Sequence, residues 1–200
     1  LDFKYLAVVE SGLQNASSPA GAKGFWQFMR DTGREFGLEV NNNVDERFNL
    51  VLSTKAASQY LKKAKEEFGS WTLAAASYNT GIAGIRRELA KQGVHDYYDL
   101  LLNEETSRYI FRILAVKRLL EHPKEYGFEY SKRHLYKNIP TRKYEVDTAV
   151  ADLVGFAKKF GINYKILKIH NPWLREDYLK NVTRKKYIIE IPKKGFYNNP

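Results

Sequence analysis

The chain has 200 residues and a formal charge of +10, from 33 Lys and Arg against 23 Asp and Glu; this length suits one main domain with a small appendage rather than two large domains. The absence of cysteine excludes disulfides, thiolate nucleophiles and cysteine-ligated zinc, but leaves the redox compartment open. A hydrophobic share of 44% with 14% aromatics excludes a disordered chain, and the positive charge selects an anionic partner: nucleic acid, acidic lipid head groups or a carboxylate-bearing wall polymer.

Tyr5, Val8 and Val9 follow Leu1 at helical offsets and predict a short amphipathic helix that ends near Gly12, with Glu10 in its last turn. No apolar run is long enough to span a membrane, and Leu1 opens the pattern without a charged region or an apolar signal core. A fragment trimmed of a leader and a short upstream segment is therefore expected. A loop rich in Asn, Ser, Pro and Gly runs to Gly24, and helical character is expected to resume through Phe25, Phe28 and Met29 until Gly33 or Gly37. Ser53 is the expected N-cap of a helix through Ala56, Ala57, Tyr60, Leu61 and Ala64. A second helix starts at Trp71 beyond Gly69 and reaches Tyr78. Asn103 is placed to cap a long helix with Glu104 and Glu105 in its first turn and a stripe of Tyr109, Ile113, Val116 and Leu120.

Past His122-Pro123 the composition shifts to Tyr, Lys and Arg as far as Pro140, which reads as a linker or a segment crossing the first domain. Tyr144 to Thr148 is strand-like, Ala151 to Phe160 and Tyr164 to His170 are helix-like, and Lys186 to Pro192 alternates as a strand does. The expected fold class is thus α+β: a mainly helical domain over 1–125, a linker over 126–141 and a βααβ module over 142–197. The module carries 13 Lys and Arg against 6 Asp and Glu, so most of the net charge resides there.

Glu10 is the carboxylate with the most chemical interest. Following Val8-Val9 at a helix C-terminus, it is exposed to both desolvation and the negative helix end, which raise a carboxyl pKa. A general acid that protonates a glycosidic oxygen needs such an elevated value. Taken alone, a glutamate at a helix end is ordinarily a solvated charge. Its context is different: Glu10-Ser11-Gly12 is followed by Ser18-Pro19-Ala20-Gly21-Ala22-Lys23-Gly24-Phe25-Trp26-Gln27-Phe28-Met29, then Ala76-Ser77-Tyr78-Asn79-Thr80-Gly81, then Glu105-Thr106 with Tyr109. In this order and spacing the blocks resemble the goose-type-lysozyme-like (SLT) lytic transglycosylases, over residues 1 to about 122.

The resemblance implies a lysozyme-like catalytic domain with Glu10 as its acid/base. Ser11 is implied to hold the carboxyl or contact a substrate N-acetyl group, its alternative being a helix cap. Gln27 is implied to line the glycan groove. Trp26, where relatives have methionine, is expected either to stack on a sugar or to join the core, and Arg30 stands where proline is common. Tyr78 and Asn79 match a block whose tyrosine hydroxyl approaches the carboxyl, with Ser77 in place of alanine, and Glu105 is implied to be a supporting residue. One carboxylate suffices when the muramic 6-hydroxyl is the nucleophile and closes a 1,6-anhydro ring. A hydrolase of lysozyme type would require a second carboxylate, for which Asp45 and Glu46 in the Val44-Asp45-Glu46-Arg47 turn are the candidates, otherwise read as loop charges. A noncatalytic glycan-binding protein is the other alternative.

Tyr144-Glu145-Val146, Phe156 to Ile162, Ile169-His170-Asn171-Pro172 and Ile189-Glu190-Ile191-Pro192 resemble a lysin-motif (LysM) domain. Asp147-Thr148-Ala149-Val150 replaces the family's glycan-contacting stretch, so glycan binding and scaffolding both stand as roles. The expected partner is therefore the peptidoglycan glycan strand, not nucleic acid. The resemblance implies an exported protein of the periplasm or cell envelope, with peripheral membrane or wall association. His95, His122, His134 and His170 show no spacing that sets two on one helix face, so neither metal nor cofactor is expected.

Overall fold

The computed structural model describes residues 2–197; Leu1, the first residue of the apolar pattern, and residues 198–200 lie outside the described residues. The N-terminal part comprises α1 (Phe3–Ser11), α2 (Arg30–Glu35), α3 (Leu50–Phe68), α4 (Trp71–Thr80), α5 (Ile82–Gln92) and α6 (Glu104–Glu121). Caps set several of these starts. The side-chain oxygens of Asn49, Ser70 and Asn103 accept from the backbone N–H of Leu52, Leu73 and Thr106, satisfying donors that a helix start leaves free. Asn49 thereby starts α3 earlier than expected. Ser53 lies inside the helix, fully buried, its hydroxyl 3.3 Å from the Leu50 carbonyl.

α4 is the central helix. It buries Leu73, Ala74, Ala75, Ala76 and Ser77, and these small side chains let α3, α5 and α6 pack closely around it. Tyr60 of α3 donates to the Ser77 carbonyl at 2.6 Å, which fixes the α3–α4 pair. α1 lies against α6 with Tyr5, Leu6 and Ala7 buried. Residues 25–29 are not helical as expected. They form a tight turn from Gly24, with Gln27 at φ 47° and Phe28 bridged to Lys23. Trp26 and Phe28 point inward, an alternation of two that belongs to extended chain rather than helix.

The C-terminal module has the expected order: β1 (Thr141–Val146), α7 (Leu153–Lys159), α8 (Tyr164–His170) and β2 (Tyr187–Pro192). Its strands pair antiparallel, Tyr144 opposite Ile189 and Val146 opposite Tyr187. Pairing carries β1 back to Thr141, earlier than its composition indicates. Tyr187, Ile189 and Ile191 point inward and join Val146, Leu153, Leu167 and Leu174 in a second core, separate from that of the helices. Val44 and Phe48, from the stretch before α3, also belong to this second core. Residues 123–140, by contrast, make two exposed 3-10 turns, Pro123–Tyr126 and Lys132–His134, with nothing buried in either.

Arg47 links the two cores. Although its neighbours read as a polar turn, Asp45, Glu46 and Arg47 are all buried. The Arg47 guanidinium binds both oxygens of Asp45 (2.9 and 2.8 Å) and donates to the carbonyls of Gly21 and Phe28, each at 3.1 Å. Gly24, at φ 81°, passes so close that a Cβ there would sit 1.9 Å from the Arg47 carbonyl oxygen. Gly24→Ala is therefore expected to destabilise the fold by about 3 kcal/mol or more, lowering the Tm by roughly 6–12 °C for a chain of this size. Thermal unfolding followed by circular dichroism checks this, and an unchanged Tm would contradict the close approach.

Candidate active site

Glu10 occupies the last turn of α1, which ends where Gly12 turns left-handed. The packing of α1 on α6 brings Tyr109 to it from 99 residues away, and the Tyr109 hydroxyl donates a short hydrogen bond to Oε1. Oε2 accepts no hydrogen bond among the described residues, so it is the oxygen free to carry a proton. Burial raises the carboxyl pKa above its usual 4.5; Tyr109 and the charge of Arg112 oppose the rise, and Glu105 adds to it. The result is a carboxyl that keeps its proton longer than a solvated one, with one donor fixing its orientation.

Tyr78 lies near enough to Glu10 for the carboxylate charge to act on it, as the approach implied by the family block requires, without a hydrogen bond between the two. Its hydroxyl donates to the Trp26 carbonyl at 2.9 Å, while its ring meets those of Tyr60, Phe28 and Trp26. Burial and then the charge of Glu10 raise its pKa well above 10.0, so it remains neutral beside the acid. Asn79 joins α4 to α6: its amide donates to Glu105 at 3.0 Å and its carbonyl accepts from the Thr106 hydroxyl at 2.8 Å. Glu105 is thus an exposed, oriented carboxylate on the Tyr109 helix face, four residues from that tyrosine.

The remaining expected residues shape the turn next to Glu10. The Ser11 hydroxyl lies 2.8 Å from the Phe25 carbonyl and 3.2 Å from that of Ala7; it anchors the turn to α1 and does not hold the carboxyl. The Gln27 amide donates to the carbonyls of Gly24 (2.7 Å) and Ala16 (3.2 Å), so its nitrogen is used within the loop. The Trp26 ring is buried and donates to the Thr54 hydroxyl at 2.9 Å. A sugar cannot stack on a ring enclosed by the core, and of the two expectations for Trp26 the structure selects the core. Asp45 is consumed by Arg47, and Glu46 accepts from the Glu39 N–H and from Lys185. Neither is free to activate water.

Two open cavities adjoin at the Asn79–Glu105 pair. One, of about 520 Å³, is lined by Gln27, Phe28, Met29, Tyr78 and Asn79 among others. The other, of about 610 Å³, is lined by Asn103, Glu104, Glu105, Arg108 and Arg112. Glu10 lines neither cavity; their linings combine apolar surface with amide, hydroxyl and charged side chains, groups able to hydrogen-bond a sugar. Tyr109 and Arg112 are the groups that the sequence reading did not assign to the site. The signal was the Glu105-Thr106-x-x-Tyr109 spacing itself, which sets Glu105 and Tyr109 on one helix face.

Glu10 is thus a half-buried carboxyl at a helix end, oriented by a tyrosine and within reach of the charges of Glu105 and Arg112. Residues 3–101 match the model of the Transglycosylase SLT domain, and residues 142–195 match that of the Soluble lytic transglycosylase C-terminal LysM-like domain. The chain thus carries an SLT domain followed by a LysM-like domain. It is similar to the membrane-bound lytic murein transglycosylase D of Escherichia coli strains K12 and O6:H1, with 35% identity over 133 residues in each case. That alignment covers 64% of this chain and 29% of each relative, so the chain spans under a third of their length.

Two outcomes follow from the geometry. Tyr109→Phe removes an interaction that lowers the Glu10 pKa, so the limb on which kcat/KM falls with rising pH is expected to move to higher pH. A pH–rate profile on soluble glycan checks this, and movement to lower pH contradicts it. Since the folded-state pKa of Glu10 is raised, the stability that its protonated form contributes at low pH is lost as the pH climbs through that value. Glu10→Gln is accordingly expected to raise the Tm at neutral pH, the advantage shrinking as the pH falls towards the ordinary value of 4.5. Melting curves across this range supply the measurement; an advantage that grows in acid would contradict it.

Proposed function

We propose that this chain cleaves the β-1,4 bond between N-acetylmuramic acid and N-acetylglucosamine in peptidoglycan without consuming water, leaving a 1,6-anhydromuramic end. In this reading residues 1–125 supply the catalytic groove, 126–141 a crossing segment and 142–197 the accompanying module. Glu10, its proton on Oε2, protonates the bridging oxygen as the bond to the muramic anomeric carbon breaks. The resulting carboxylate then takes the proton of the muramic 6-hydroxyl while that oxygen attacks the anomeric carbon and closes the ring. The proton borrowed in the first step is returned in the second, so Glu10 ends as it began.

The observation that carries this reading is the setting of Glu10: a carboxyl raised by burial, oriented by Tyr109, with Asp45 and Glu46 both engaged elsewhere. The relatives' name, a membrane-bound murein transglycosylase, supports murein as the substrate and the cell envelope as the place of action. No helix among the described residues is long and apolar enough to cross a membrane. Gln27, Tyr78 and Asn79 would line the groove on one side and Glu105 on the other, with Ser11 and Trp26 supporting the turn beside the acid.

Mass spectrometry of products from purified peptidoglycan is expected to show anhydromuramic ends, each one water lighter than a reducing end. Reducing ends instead would reassign the chain to hydrolysis, with Glu105, whose charge reaches Glu10, as the second carboxylate. Glu10→Gln is expected to lower the cleavage rate by at least about 10²-fold while the fold is kept; full activity in that variant would falsify the assignment of the acid.

A further inference from the structure

We propose that the C-terminal module is a positioning element of the active site: it grips residues 43–48 and thereby fixes Arg47, which in turn fixes the 21–28 turn beside Glu10. The inference rests on the catalytic reading of Glu10 given above. A module that served only to hold polymer would need no more than a flexible connection, because domains of one chain meet through modest, polar surfaces by default. Here the contact resembles an interior. Val44 and Phe48 are part of the module's own core, and the Arg175 guanidinium lies 4.3 Å above the Phe48 ring.

The polar contacts run along the same stretch. The Asp45 N–H donates to the Trp173 carbonyl and the Arg175 N–H to the Asn43 carbonyl, both at 2.9 Å. The Asn43 side chain donates to the Tyr178 carbonyl at 2.8 Å and accepts from the Lys180 N–H at 2.9 Å, as a strand partner would. Lys185 bridges Glu39 and Glu46 at 2.9 and 2.7 Å, and the Tyr187 hydroxyl donates to Glu39 at 2.8 Å. Arg47 therefore sits between two residues, Glu46 and Phe48, that the module holds directly. From Arg47 the constraint passes to the carbonyls of Gly21 and Phe28. Within that turn the Trp26 carbonyl accepts from Tyr78 and the Phe25 carbonyl from Ser11, the residue after Glu10. Loss of the grip leaves the turn without its buried anchor and lets the wall beside the acid drift, and such drift is expensive in rate because small misplacements of catalytic groups are.

The test compares two substrates with the full chain: intact sacculi, and short soluble glycan oligomers too small to reach from the groove to the module. Lys185→Ala combined with Asn43→Ala is expected to lower kcat about tenfold on both, with KM little changed, and to speed amide hydrogen exchange within residues 21–28. Lys185→Arg, which keeps the charge between the two glutamates, is expected to retain most of the activity. If the double variant does not fold, Tyr187→Phe removes one bond of the grip and is expected to show the same pattern at smaller amplitude. A loss confined to sacculi and expressed in KM would overturn the proposal in favour of a polymer tether, as would an unchanged kcat once the turn exchanges faster. Failure of the catalytic reading looks different, since the unaltered chain would then leave both substrates intact.

Discussion

Burying a guanidinium and a carboxylate removes both from water, and the desolvation involved is large enough that such a pair stabilises a fold only when its geometry is nearly complete. The Arg47–Asp45 pair meets that condition. Two parallel bonds satisfy the carboxylate, and two of the remaining donors reach the carbonyls of Gly21 and Phe28, an arrangement that charge-assisted bonding favours. Those carbonyls belong to a stretch with little regular secondary structure of its own. The turn carrying Trp26 and Gln27 therefore takes its shape from a side chain about twenty residues further on, and removing either partner would leave an uncompensated charge costing about 3–5 kcal/mol. The position of Tyr78, the seat of Ser11 and the near wall of the groove all depend on that turn.

The groove's other side depends on α6. Its N-cap at Asn103 fixes where the helix starts, and hence which residues face α1 and α4: Tyr109 the acid, Thr106 and Glu105 the side chain of Asn79. A shift of one residue would rotate all three away together. Glu10 is thus set between a turn held by Arg47 and a helix set by a cap. Its own burial works against stability, as expected where a carboxyl is kept protonated for chemistry.

Features decided locally were legible in the sequence. Asn103 capping α6, α8 over Tyr164–His170, and the alternation of Tyr187, Ile189 and Ile191 all follow from side chains close in sequence to the backbone they control. Features decided at a distance were not. Ser53 looked like a cap because serine ordinarily caps, yet Asn49 is an equally good acceptor placed one turn earlier. Phe25, Phe28 and Met29 carry a helix-compatible spacing, but the chain there obeys Arg47. The helix α5 buries only Gly84 and Ile85, too few apolar positions to announce itself. Asp45 and Glu46 read as surface charges because nothing near them in sequence reveals Arg47 folding back or Lys185 arriving 139 residues later. Tyr109 was visible as a core residue of its helix, while its bond to Glu10 requires α1 and α6 to be brought together first.

The module's positive charge is also partly spent within the molecule, Lys185 on Glu39 and Glu46 and Lys186 on Glu145, so its formal charge overstates what an anionic polymer meets. Among the described residues, the hydrogen bonds of residues 128–139 are made to partners close in sequence. The relative placement of the two parts is therefore encoded in the surface around residues 39–48 and not in the covalent connection. The intervening stretch would then serve as a connection rather than a spacer that sets geometry, and a chain nicked within it would be expected to stay assembled.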